Sequence, residues 1–252
     1  MKNLKKTVAF MLLATLVLSV GCKKSETDEP AVTQTDSDKL LFNYKFSNNY
    51  RDSGPKAIHL DSSNVTGATF VNDRNSTANH ALNIGGGEIA VPNSDKWKVS
   101  FPFTISMWVN VVDKSNADNR FFESDAISGS QYRGFWIHTT GSNGQVAFNF
   151  SDGNGTSRNT AISSLTLSNN TWHHLVGVYK GVNNIEVYFD GNRDTGATYD
   201  SSCDPIQYSA TDGHIGAFYS LGSILTGKMD NVKTWGRALS ADEVSDEYNA
   251  MD

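Results

Sequence analysis

The chain has 252 residues, 19% of them charged, with a formal net charge of −6. Its 21 Gly, 13 Phe, 9 Tyr and 5 Trp suit many turns and aromatic-filled sheets within one domain. An acidic balance without a Lys/Arg cluster excludes nucleic acid as a partner, because phosphate binding needs a basic footprint.

Residues 1–22, MKNLKKTVAFMLLATLVLSVGC, open with Lys2, Lys5 and Lys6 and continue as an apolar run from Val8 to Val20. That run is short for a bilayer span and reads as a targeting leader over residues 1–21. Without those three lysines, the 21 basic residues fall to 18 against 27 acidic, a balance of −9. Leu18-Ser19-Val20-Gly21-Cys22 resembles the bacterial lipobox, which implies cleavage before Cys22 and lipidation of its sulfur. With Cys22 lipidated, Cys203 has no disulfide partner. Residues 22–38 are polar and acidic, too poor in apolar groups to offset chain entropy, and read as a disordered tether. The acidic stretch Glu26 to Glu29 is similar to export signals of Bacteroidota surface lipoproteins. The expected location is therefore the outer membrane, lipid-anchored at the cell surface.

Residues 39–252 read as one all-β domain. Strands are expected over 39–46, in short pieces between His59 and Phe70, and over 81–84 and 88–92 around a three-glycine turn. Phe103 to Val112 is a strong core strand, followed by 120–123, 134–138 and 145–150, with Asp152 to Gly155 as a turn. Thr171 to Asn192 is the strongest signal. Both arms alternate with period two, Leu175 and Tyr179 opposite Val176 and Val178, then Ile185, Val187 and Phe189 opposite Glu186 and Tyr188. Such a hairpin needs a second sheet to cover it. A loop runs on to Tyr208, and 214–217 and 227–235 are closing strands. Ser240-Ala241-Asp242-Glu243 is a capping-box signature for a short helix through Asn249. The pattern predicts a two-sheet antiparallel jelly-roll sandwich with a short C-terminal helix.

The segments Asp52-Ser53-Gly54, Phe103 to Val109, Trp172-His173-His174, Val187 to Gly191, Ile215-Gly216-Ala217 and Gly227 to Val232, with Arg237 to Ser240 and Glu243, carry a family resemblance. They resemble the laminin G-like branch of the concanavalin A-like lectin/glucanase superfamily, over roughly residues 40–250. The resemblance implies a concave sheet and a structural calcium between the first turn and the closing strand. Asp52 and Asp230 match those positions, with Asn48 and Asn49 near enough in sequence to add oxygen ligands. Function does not follow from the fold, which hosts lectins, glycanases, lyases and adhesion modules alike.

Retaining glycanases of this fold carry Glu-x-Asp-x-(x)-Glu on one strand, so that two carboxylates share the cleft. Here Glu123-Ser124-Asp125 lacks the final Glu, and Trp136-Ile137-His138 lacks the Gln of the alginate-lyase pattern. No catalytic residue is assigned. Alternation instead places Phe135, Ile137, Phe148 and Phe150 in the core and turns Tyr132, Trp136, His138 and Asn149 outwards. An exposed Trp beside imidazole and amide groups suits a pyranose, stacked on the ring and fixed through its hydroxyls. Tyr208, Phe218 and Tyr219 are loop aromatics placed to rim such a site. The expectation is a non-catalytic carbohydrate-binding module, with a glycan or polysaccharide as partner. Alternatives are a module that binds cell-surface proteins, or an unrecognised polysaccharide hydrolase or lyase.

Overall fold

The computed structural model describes residues 39–125, 131–218 and 224–251. The leader, the tether, Cys22 and Tyr219 lie outside the described residues. The strands are β1 (Leu40–Tyr44), β2 (Val65–Val71), β3 (Ala81–Val91), β4 (Phe103–Val111), β5 (Arg120–Glu123), β6 (Arg133–Thr140) and β7 (Gln145–Asp152). They continue as β8 (Asn159–Thr166), β9 (His173–Gly181), β10 (Asn184–Phe189), β11 (Asn192–Arg193), β12 (Thr198–Asp200), β13 (Gly213–Ile215) and β14 (Thr226–Trp235), followed by helix α1 (Ala241–Asn249). The strands pair in the order β11-β10-β9-β4-β14-β3-β13-β5-β6-β7-β8-β12, with β1 beside β14 and β2 beside β3. The sheet is antiparallel and curls back on itself into a concanavalin A-like jelly roll.

Aromatic side chains fill the space between the layers. Phe103 of β4 lies 4.4 Å from Tyr179 of β9 and 4.8 Å from Phe135 of β6, centroid to centroid, and Phe42 lies 6.0 Å from Phe122. Each such ring, withdrawn from water, contributes roughly 1.5–3 kcal/mol. The layers approach so closely that a Cβ on Gly177 of β9 would sit 2.7 Å from the Phe148 ring of β7, so this strand position takes glycine.

The hairpin β9–β10 forms as expected, with Leu175 opposite Phe189 and Val176 opposite Tyr188. Leu175, Tyr179, Val187 and Phe189 join the main core. Val176, Val178 and Tyr188 form a second cluster with Trp235, Leu239 and Val244 beneath α1. Both faces of the hairpin are thus covered, one by the opposing layer and one by the helix. The capping box forms as the sequence implies. Ser240 Oγ accepts from the Glu243 amide at 3.2 Å, and the Glu243 carboxylate accepts from the Ser240 amide at 2.7 Å.

Three expectations change. Gly85-Gly86-Gly87 does not break the chain into two strands, because β3 runs through it. A Cβ on Gly87 would lie 1.9 Å from the Thr66 carbonyl, so glycine permits close backbone contact with β2 at a bulge. β8 and β12 occupy stretches read as connection. Their Ser and Thr residues hide the alternation: buried Ser163 accepts from the Val146 amide at 2.9 Å, where an apolar residue would mark a strand.

Candidate functional site

The alternation along β6 and β7 is as expected. Phe135, Ile137, Phe148 and Phe150 enter the core, and Trp136, His138 and Asn149 occupy the other face. On that outward face a row of directly paired residues crosses six strands: His214, Glu123, Trp136, Asn149, Thr160 and Asp200. Polar contacts run along it. His214 Nδ1 lies 2.9 Å from Glu123 Oε1, Asn149 Nδ2 donates to the Trp136 carbonyl at 3.3 Å, and Thr160 Oγ1 donates to Asn149 Oδ1 at 2.8 Å. A second row brings Arg120 beside His138.

The exposure expected for Trp136 is not observed: it is 3% exposed. The cause is long-range packing. Phe218 lies against it and Tyr132 meets it edge-on at 5.5 Å. The Arg120 guanidinium stacks 3.8 Å from the Phe218 ring, and that of Arg158 lies 5.7 Å from the Tyr132 ring. Asn149 is buried, whereas Tyr132, His138 and Thr160 keep part of their surface. The four residues chosen from sequence do share one face, but its solvent-facing parts are Tyr132 and His138 instead of an open indole. Burial, then the nearby Arg120 guanidinium, push the His138 imidazole down to about 3. It is therefore neutral near pH 7, with Nδ1 donating to the Thr139 carbonyl at 2.5 Å.

Glu123 and Asp125 serve different ends. Glu123 belongs to the outward row. Asp125 binds the loop before β13, accepting from the Ser209 hydroxyl at 2.5 Å and from the Ser209 amide and Thr211 hydroxyl. Lys98, 4.0 Å from Asp125, donates to the Ser209 carbonyl at 3.1 Å. Sequence reasoning missed Arg120, Thr160 and His214 as members of the face. Extending the period-two parity into β13 would have found His214, whereas Arg120 reaches the face only through the irregularity between Arg120 and Phe122, which breaks that parity. Thr160 lies on the unrecognised β8.

The residues matched to a calcium site do not form a calcium-like donor set. The Asp52 carboxylate accepts from the amides of Asn43 (2.8 Å), Gly54 (2.6 Å) and Ile58 (2.8 Å), so N–H groups fill the directions a cation needs. Asp230 pairs with Arg74 at 2.9 Å, a cation already in place. Asn49 Oδ1 accepts from the Arg51 amide at 2.9 Å and its Nδ2 donates to the Ser47 carbonyl. Among the described residues there is no group of three or more His, Cys, Asp or Glu placed to hold a metal ion. Cys203 is a free thiol whose pKa burial pushes up to about 11, which leaves it unreactive near neutrality.

A family model described as the concanavalin A-like lectin/glucanases superfamily matches residues 83–245. No curated protein matches the chain in sequence. Among solved structures, the binding domain of Paraclostridial Mosquitocidal Protein 1 superposes with a TM-score of 0.64 at 19% identity, over 84% of this chain and 52% of that one. Domain 4 of AbnA, a GH43 extracellular arabinanase from Geobacillus stearothermophilus solved with arabinotriose, gives 0.63 at 17%, over 82% and 97%. The Botulinum neurotoxin serotype G binding domain gives 0.59 at 15%, over 83% and 50%. The chain thus spans about half the length of the two toxin domains and nearly all of the arabinanase domain.

Proposed function

We propose that this chain, which belongs to the concanavalin A-like lectin/glucanases superfamily, is a non-catalytic carbohydrate-binding module. The observation that carries the reading is the outward face. Tyr132, His138 and Thr160 keep part of their surface on this face, beside the buried row of Glu123, Trp136, Asn149 and His214 that holds them in place. Sugar recognition uses this combination, apolar ring surface for the pyranose face and fixed polar groups for its hydroxyls. Neutral His138 adds a partly exposed imidazole edge to the same face. The arabinotriose complex of the AbnA domain supports the same chemistry on a similar fold.

On this reading the Cys22 lipid holds the module at the outer membrane, on the cell surface, and residues 23–38 give it reach. A glycan array probed with the full chain tests the binding. Signal on at least one glycan, lost in His138→Ala and Tyr132→Ala at unchanged melting temperature, is the expected result. A blank array refutes the proposal. Cys22→Ser is expected to move the protein from the membrane to the soluble fraction, and unchanged fractionation refutes the anchor.

A further inference from the structure

A cleft of about 470 Å³ opens beside the β8–β12 end of that row, where Asn159 precedes Thr160 and Ser201 follows Asp200. Three chain segments wall it: the turn after β7, the β9–β10 turn, and residues 201–204. Two side chains fix these walls to one another. Buried Asn159 donates through Nδ2 to the Val182 carbonyl at 2.7 Å, while its Oδ1 accepts from the amides of Ser202 (2.6 Å) and Cys203 (3.0 Å). Asp152 accepts from the Asn154 amide at 2.8 Å through Oδ1 and from the Asp204 amide at 3.0 Å through Oδ2. Ser201 Oγ adds a bridge to Asn183 Oδ1 at 2.9 Å. The walls are therefore set before any ligand arrives, which lowers the ordering cost of binding.

The lining is suited to hydroxyl groups. The Asp204 carboxylate is exposed there, Asn183 keeps its Nδ2 for a ligand, and Ser157 contributes a hydroxyl. Tyr199 borders the cleft, its hydroxyl donating to the Val182 carbonyl and its side chain 37% exposed. No Lys or Arg lines the cleft, and Asp152 and Asp204 make it unfavourable for anions. The volume lies within the usual range for small-ligand sites, about 300–1,000 Å³.

We infer that this cleft is a second carbohydrate site, selective for neutral sugars, with Asp204 accepting from vicinal hydroxyls and Asn183 donating to a ring or hydroxyl oxygen. The inference rests on the carbohydrate reading above but assigns a different place. The test titrates arabinotriose, xylotriose, maltotriose and mannotriose into the full chain, with trigalacturonate as the acidic control. Asp204→Ala and Asn183→Ala, both at exposed positions, are each expected to weaken binding of a neutral trisaccharide about tenfold, the worth of one good polar contact. The same sugar is expected to slow alkylation of Cys203, which lines the cleft, as followed by peptide mass mapping at alkaline pH. Trigalacturonate is expected to do neither. Equal affinity in both variants, with Cys203 unprotected, overturns the cleft site and leaves the outward-face reading standing. Failure of all four neutral sugars to bind also overturns it, whatever the glycan array returns for the outward face.

Discussion

Replacing Asp52 by Ala removes the acceptor for three backbone amides at once, those of Asn43, Gly54 and Ile58 at 2.6–2.8 Å. The site is tight: Asp52 is 4% exposed, and a Cβ on Gly54 would meet both Asp52 Oδ1 and Phe42 Cα at 2.9 Å. A hydrogen bond to a charged acceptor contributes about 1.5–3 kcal/mol, and a stranded buried donor costs about 1–3 kcal/mol. Exposed Lys56 and Ala57 let part of the loop rearrange towards water. The expected loss is therefore about 3–5 kcal/mol, below the sum of three full terms. At ~2–4 °C per kcal/mol for a domain of this size, the melting temperature should fall by roughly 6–20 °C. Asp52→Asn should fall between, because its amide keeps one acceptor oxygen but turns an N–H₂ group towards a donor. Guanidinium unfolding followed by tryptophan fluorescence and far-UV circular dichroism measures this, with an unchanged slope showing that the unfolded state is unaltered. A loss below about 1 kcal/mol in Asp52→Ala would refute the view of this carboxylate as the organiser of the first turn.

Because amides and Arg74 already serve Asp52 and Asp230, EDTA and excess calcium should give the same melting curve, and a clear rise with calcium would contradict the geometry. His174, 1% exposed and 2.8 Å from Ser106 Oγ, has its pKa pushed down to about 3 by burial and then by Lys233. The unfolded chain takes up that proton first, near pH 6.5, so the stability is complete above pH 6.5 and lost as pH falls towards 3. His174 alone should contribute a loss of about 2 kcal/mol between pH 7 and pH 5, and His174→Gln should remove that share while leaving the share of His138. An identical slope in the variant would count against the assignment. Ser240→Ala should cost about 1 kcal/mol through the lost cap of α1, measured by the same unfolding assay, and a neutral result would show that packing on Val176 and Tyr188 alone holds the helix.

Local signals carried most of the fold. Alternation across β9–β10 fixed both period and face, and the apolar run Phe103 to Val111 marked a core strand. The capping box needed only Ser240 and Glu243. What stayed hidden depends on distant partners. Trp136 is covered by Phe218, far along the chain, and Arg74 reaches Asp230 across 156 positions. The glycine run was misread because its small residues serve a close strand approach and not a turn. The end cleft was invisible for a related reason: its walls come from three separated turns, joined by Asn159 on a strand whose serines and threonines masked it.

The central claim is that the outward face binds carbohydrate. Its most direct test is calorimetric titration of the best array glycan into the full wild-type chain and into the double variant Tyr132→Ala, His138→Ala, both confirmed folded by circular dichroism. A saturable isotherm for the wild type, weakened about a hundredfold in the double variant as expected for two lost contacts, is the predicted result. Equal isotherms for the two proteins would contradict the assignment of this face, and no heat with any glycan would contradict the function.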